Sequence, residues 1–469
     1  MCYYNAPNSS VYYCGNLPEG QLAACRLGGG TAINAMQQFW PPTQYLDHAY
    51  GFEGWSSEDF QPAIHRVATR IPPTPYWSSD NKFYYDQVYS LMGSVLETAG
   101  LKEVNTSQDV DEKYNTYGRD VYAAADGLRG GPLVGYLQDA RKLPNFTLKM
   151  YSHVDYVVRD GSKATGVSVN GTVITADAVV LSAGVWNTPS ILFASGIGPE
   201  SELTTAASIG FTNYPKSEWI FNERVGKNLH DNPQTNYIIT YNDTDALPAF
   251  YDSEIFYGYN VSKTYKDDLY LNHAGPLTGT GRQLVTWITV EDSGVEMTCQ
   301  AICSTPTTTN GTFNCQFNLN EGLLSRGSIG LGTDGNLVFK EGVGPWLTNS
   351  TDVKMYALGL QRFVDAITSY PGLSTSTVPI GDLASYEAHL KANKAGNNHW
   401  GGSCKIGDTD GTKGGEGCVD LTAKVYGTDN LYVIDGSLSP APTTSNPSFL
   451  YEVLAEFAVE KIVPVLRRR

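Results

Sequence analysis

The chain has 469 residues, a formal net charge of −16, 41% hydrophobic and 17% charged residues. That length is too great for one ordinary core and suits two. The acidic balance argues against nucleic acid and anionic membranes as partners, because a phosphate surface is repelled, and favours a neutral or cationic small substrate. No apolar run is long enough to span a bilayer.

The first ten residues, "MCYYNAPNSS", lack the basic start and apolar core of a signal peptide. Either the native start lies elsewhere or a leader has been removed. The run "CRLGGGTAINAM" (25–36) follows, with three successive glycines that let backbone approach a flat partner closely. "KFYYDQVYSLMGSVLETAG" (82–100) predicts an amphipathic helix closed by glycine. From 147 to 183 the pattern predicts a β-meander with turns at Asp160-Gly161 and Asn170-Gly171, ending in a fully buried strand, "AVVLSAG". Thr188 then caps and Pro189 opens a short helix ending at Gly196.

Residues 232–345 are rich in Thr, Asn and Gly, with strand-like runs such as "TNYIITY" and "RQLVTWITV", and predict an antiparallel sheet. Within them Gly330-Leu331-Gly332-Thr333-Asp334-Gly335 spells GxGxxG. A dinucleotide fingerprint needs a helix after its glycines, but "NLVFK" follows, so a hairpin is expected. "DVKMYALGLQRFVDAITSY" (352–370) predicts a helix stopped by Pro371. Near the C-terminus a strand (431–435) delivers Asp435-Gly436, and Asn446-Pro447 opens a last helix, 447–466, where Asn446 is also a natural cap.

Eight cysteines, at 2, 14, 25, 299, 303, 315, 404 and 418, include no zinc-type spacing, and no metal site is expected. Local disulfides Cys14–Cys25 and Cys404–Cys418 are expected, with one pair from Cys299, Cys303 and Cys315 and the third member left for Cys2. Sequons begin at Asn8, Asn105, Asn145, Asn170, Asn242, Asn260, Asn310 and Asn349. With the cysteines, they predict a secreted glycoprotein. Neither GxSxG nor HExxH occurs. Six histidines (48, 65, 153, 230, 273 and 389) stand in ordinary contexts, whereas His399 lies in "GNNHWGGSCKIG", among amides and glycines suited to a polar tip in a cleft.

"RLGGGTAINAM", "VVLSAGVWNTPSILFASGIGP", "VGKNLHDNP", "NNHWGG" and "VYGTDNLYVIDGSLSPAPTTSNP" occur in the order seen in glucose–methanol–choline (GMC) oxidoreductases. The chain resembles that family over essentially its whole length, most of all the flavin dehydrogenase part of cellobiose dehydrogenases. The resemblance implies an α/β flavoprotein with a Rossmann-like FAD-binding domain (1–37, 124–232 and 421–469), and a substrate domain with an antiparallel sheet (38–123 and 233–420). It implies oxidation of a sugar or related alcohol, with His399 and Asn446 facing the flavin N5 and Asn398 binding substrate. Gly28, Gly29, Gly30, Thr31 and Asn34 match the loop along the flavin. Val154 matches an adenine contact, and Asp435, Gly436 and Pro447 match the remaining cofactor contacts. An external electron acceptor is implied as well. The family's N-terminal GxGxxG βαβ unit is missing from this sequence, so the contrasting expectation is a redox-inactive, carbohydrate-binding relative that has lost its flavin.

Overall fold

The structure, a computed structural model, describes residues 14–18, 20–250 and 261–467. Cys2 and the sequons at Asn8 and Asn260 lie outside the described residues. Two hydrophobic cores organise the rest. The first gathers Trp55, Phe60, Val179, Leu192, Tyr432 and Phe457, the second Met92, Ile239, Phe317, Tyr356 and Phe363.

The second core lies under an antiparallel sheet, as the alternating runs predict. Its strands run in the order Leu373–Thr375, Pro233–Tyr241, Thr312–Glu321, Val295–Ser304, Arg282–Asp292, Thr116–Arg119 and Lys102–Glu103. The last of these joins in parallel, and Ala395–Gly396 pairs beside the start of Pro233–Tyr241. The helix Ser350–Ser369 crosses the sheet, its first turn capped by the Asn349 side chain, which accepts from the Thr351 amide. Tyr356 and Phe363 stack on Phe317 at 5.7 and 5.2 Å. The helix over 82–100 is shorter than expected, Gln87–Thr98.

In the first core the helix Ser57–Arg70 opens with a capping box between Ser56 and Asp59. It packs on the C-terminal helix Ser448–Leu466, with Phe60 4.4 Å from Phe457. The meander is Val154–Asp160, Lys163–Val169 and Thr172–Thr175, with the two expected turns. It starts later than expected, because residues 147–153 form no strand. The strand Val179–Leu181 pairs in parallel with Leu431–Val433. It is not buried on both faces, since Val180 is 45% exposed while Val179 and Leu181 are covered. One face meets the core, and among the described residues no layer covers the other. The next helix begins at Gly184, well before Pro189. Thr188 does not cap it, because its hydroxyl donates to Asp435 Oδ2 at 2.6 Å. Residues 330–335 form the expected hairpin between Ile329–Leu331 and Leu337–Phe339.

Disulfides join Cys14 to Cys25, Cys303 to Cys315 and Cys404 to Cys418. Cys299 is a buried free thiol beneath Gly359, and burial pushes its pKa up. Asn105, Asn145, Asn170, Asn242 and Asn310 are exposed. Among the described residues no helix is long and apolar enough to cross a membrane, and no three His, Cys, Asp or Glu side chains converge as a metal site.

One buried charge lies at the back of the sheet. Lys113 is 1% exposed, its ammonium donating to the Val110 carbonyl and lying 5.6 Å from the Trp287 ring. Burial pushes its pKa down to about 7, against the pull of Asp111 and Glu321. Between that value and the unfolded lysine value of about 10.4 the unfolded chain binds more protons, so stability falls as pH drops through this window. Lys113→Met is therefore expected to stabilise the fold, by about 2 kcal/mol more at pH 6 than at pH 9. Urea melts of both proteins at the two pH values measure this. An equal gain at both would contradict it.

Candidate active site

The loop carrying His399 is stitched to the sheet on both sides. Before it, Gly396 and Ala395 pair with Pro233 and Gln234. After it, Gly401 and His230 exchange backbone hydrogen bonds, both 3.0 Å. The close approach explains both glycines of "HWGG". A Cβ at Gly401 would stand 2.2 Å from the His230 ring, and one at Gly402, whose φ is +87°, would stand 2.4 Å from the Asn228 carbonyl.

Inside the loop, the buried Asp231 carboxylate accepts from the amides of Asn397 (2.9 Å), Asn398 (3.2 Å) and His399 (2.7 Å), and from Trp346 Nε1 (3.0 Å). One acid thus gathers three consecutive N–H groups, holding Asn398 at φ +57°. Burial pushes the Asp231 pKa up to about 6, and these donors pull it back.

The orientation of the His399 ring follows from its neighbours. Asn232 donates to the Leu319 carbonyl at 2.9 Å, which turns its Oδ1 toward His399 Nδ1 at 3.0 Å. Nδ1 is therefore assigned the proton, and Nε2 is the bare acceptor. Nε2 lies 3.1 Å from Asn446 Nδ2. Burial pushes the His399 pKa down to about 3, with the Arg282 charge adding to it. The imidazole is thus a neutral base with its lone pair aimed at an amide N–H.

Asn446 does not cap the last helix, where the capping position falls on Pro447. Its Nδ2 turns instead to His399 and to Gln37 Oε1 at 3.1 Å. Its Oδ1 is buried without a partner. Ser445 is held by Trp287 Nε1 at 3.0 Å, and the Thr444 carbonyl by Asn320 at 3.1 Å. These bonds fix the turn from which Asn446 projects.

The other expected residues divide into two groups. Gly29 and Gly30 face open space, with nothing within 4 Å of where a Cβ would stand. Gly28 has φ +85° and lies against Leu133, and Thr31 Oγ1 donates to its carbonyl at 2.7 Å. The Asn34 amide is spent internally, donating to Ser448 and accepting from Arg129 and the Met36 amide. Asn398 is exposed and accepts from the Leu22 amide at 3.2 Å. Val154 begins the meander, far in sequence from these loops. Asp435 accepts from Gly184 N and Thr188 Oγ1, and from Ser437 N and Oγ. Its carboxylate therefore fills the N-terminus of the helix Gly184–Ala194. Gly436 lies under the Tyr451 ring.

His230 is structural: it is fully buried, its Nε2 lies 3.2 Å from the Ser439 carbonyl, and burial lowers its pKa to about 3. A groove of about 530 Å³ lined by Phe83, Tyr85, Leu91 and Tyr241 contains none of the expected site residues. Sequence reasoning assigned no role to Gln37, Asp120, Asp231, Asn232, Arg282, Gln316 or Asn397. Asp231, Asn232 and Asn397 lie within motifs already quoted, so their place in those motifs was the available signal. The others come from isolated positions with no local signature.

A neutral base beside an amide donor, on loops joining a parallel strand pair to an antiparallel sheet, can accept a proton from a hydroxyl group. The GMC oxidoreductase N-terminal and C-terminal family models match residues 12–234 and 341–455, and the chain belongs to the GMC oxidoreductase family. Among curated relatives, the 5-(hydroxymethyl)furfural oxidase of Methylovorus sp. is 25% identical over 466 residues, covering 93% of this chain and 82% of that protein. The choline oxidase of Arthrobacter globiformis is 27% identical over 230 residues, 44% of this chain and 40% of that one. Among solved structures, formate oxidase of Aspergillus oryzae superposes with a TM-score of 0.76 at 16% identity, over 96% of this chain and 85% of its own. An FAD-dependent oxidoreductase of Chaetomium thermophilum gives 0.76 at 18%, over 98% and 91%. These structural likenesses establish a shared fold.

Proposed function

We propose that this protein is a secreted, FAD-dependent oxidoreductase that oxidises a CH–OH group, and that its substrate is a sugar or related alcohol, as in cellobiose dehydrogenases. The observation that carries this reading is the bare His399 Nε2 held 3.1 Å from Asn446 Nδ2. A hydroxyl that displaces this bond donates its proton to Nε2 while its oxygen accepts from the freed Nδ2 N–H. Bound FAD would supply the acceptor for the hydride leaving the same carbon, and an external acceptor would take the electrons onward.

The residues present fit the flavin ring. Gly29 and Gly30 open onto free space, and the orphaned Asn446 Oδ1 is a buried acceptor awaiting a donor. Gly28, Gly29, Gly30, Thr31 and Asn34 would line the ring, Asn34 by position because its side chain is engaged elsewhere, with Val154, Asp435, Gly436 and Pro447 toward the rest of the cofactor. The division into a cofactor unit (1–37, 124–232, 421–469) and a substrate unit (38–123, 233–420) belongs to the same proposal. Three disulfides and five exposed sequon asparagines support work outside the cytoplasm.

A second reading is favoured by two observations. Among the described residues the parallel pair has two strands, and the adjoining helix N-terminus is filled by Asp435. A redox-inactive sugar-binding protein on this scaffold would look the same there. Turnover of cellobiose, glucose and a primary aryl alcohol by FAD-loaded protein with an artificial acceptor separates these readings. Sugar oxidation is expected. Oxidation of the aryl alcohol alone would remove the sugar assignment, and no turnover with sugar binding retained would favour the second reading.

A further inference from the structure

The polar groups around His399 close into a ring. From His399 Nε2 it runs to Asn446 Nδ2 (3.1 Å), on to Gln37 Oε1 (3.1 Å), and then to Arg282 Nη1. It returns from Arg282 Nη2 to Gln316 Oε1 (3.3 Å) and from Gln316 Nε2 to Asn397 Oδ1 (2.9 Å), and it closes on His399 by proximity alone, because Asn397 Nδ2 lies 3.2 Å from the protonated Nδ1. Five of its six members are neutral, and the guanidinium stands opposite the base. Arg282 opens the strand Arg282–Asp292, where the register shifts between Arg282 and Leu284. Such a bulge re-aims the side chain that precedes it.

Two features separate this arginine from a structural ion pair. Both of its ring bonds go to side-chain amides, which bring no counter-charge. The carboxylate of this network, Asp120, feels the Arg282 charge but is bonded to it only through an amide, because Gln37 gives its Nε2 to Asp120 at 2.7 Å and its Oε1 to Arg282. Asp120 is also buried, and takes a further hydroxyl from Tyr122 at 3.2 Å. These bonds engage two of the five N–H groups of the fork. A guanidinium matches a carboxylate with two parallel hydrogen bonds, and is worth most where water is scarce. The net charge of −16 repels anions at long range, so an acidic substrate needs a local cation to be selected.

We infer that Arg282 is the specificity-determining residue of this site, and that it takes a carboxylate on the substrate, so that the preferred alcohols are hydroxy acids, acidic sugars included. The alcohol-oxidising reading above is its premise.

The test uses a matched pair, 4-(hydroxymethyl)benzoate and benzyl alcohol, with the FAD-loaded full chain. The wild type is expected to favour the carboxylate at least about tenfold in kcat/KM, the order of one charged hydrogen bond. Arg282→Gln is expected to erase that ratio, mainly through KM, and Arg282→Lys to keep part of it. A wild type without the preference, or an Arg282→Gln protein that keeps it, overturns the inference. Should Arg282→Gln not fold, the wild-type ratio and the Arg282→Lys ratio decide. Calorimetry with 4-(hydroxymethyl)benzoate separates this inference from its premise. If neither alcohol turns over, the alcohol-oxidising reading fails. Binding that weakens at least about tenfold in Arg282→Gln still supports the anion site, whereas equal binding or none overturns it.

Discussion

Replacing His399 by Gln is expected to lower kcat by about 10² to 10⁴, the usual contribution of a positioned general base. KM should change far less, because the glutamine amide still fills the space beside Asn446. The pH profile gives the sharper test. Burial and Arg282 push the His399 pKa down to about 3, so the ring stays unprotonated through the range where an ordinary histidine, near 6.5, takes up its proton. The acid limb of kcat/KM should therefore lie below about pH 4. A limb near 6.5 that vanishes in His399→Gln would mean the ring is wetter and differently bonded than the structure has it. Stability follows the same groups with opposite signs. His399 and His230, both lowered to about 3, cost stability as pH falls from 6.5. Asp120 and Asp231, both raised to about 6, cost stability as pH rises from 3.8 through 6. The two pairs oppose one another, so the active-site groups alone produce little net slope over the shared window.

The second large effect is expected at Asp231, which touches no substrate and acts through the loop it holds. Asp231→Ala leaves three consecutive backbone N–H groups and the Trp346 indole N–H without their acceptor. Stranding buried donors costs about 1–3 kcal/mol each where water cannot replace the partner, and a loss of about 3–5 kcal/mol overall is expected. Because Asn397 and His399 ride on those amides, kcat should fall by at least about tenfold even where the protein is folded. Asp231→Asn keeps one acceptor oxygen and should recover part of both losses. Thermal melts and steady-state kinetics on the two variants measure this. A normal kcat in a destabilised Asp231→Ala would limit the residue to folding.

Those two residues also mark how far the sequence could be read. The His399 loop was legible because glycines and amides around a histidine announce a loop held close to other backbone, whereas Asn446 was singled out only through the family resemblance, its local pattern being that of a helix cap. The helix over 350–369, the antiparallel sheet and the GxGxxG hairpin followed from periodicity and turn residues. Asp231 was visible only as a letter in "VGKNLHDNP", because its role depends on a loop more than 160 residues later. The ring joining Gln37, Arg282, Gln316 and Asn397 unites separate strands and loops, and no local pattern encodes which of many polar side chains will meet. Val180 misled for a related reason: a continuous apolar run reports what a strand can bury, while its neighbours decide what is covered. At Thr188 and Asn446, cap chemistry gave way to longer-range partners, Asp435 in one case and His399 in the other.

The most direct test of the central claim is a visible absorption spectrum of the purified protein with FAD, followed by anaerobic addition of an alcohol. A protein-bound flavin band is expected that bleaches on addition, and that persists in His399→Gln under the same treatment. A protein that stays colourless after FAD, or a bound flavin that no alcohol bleaches, would contradict it.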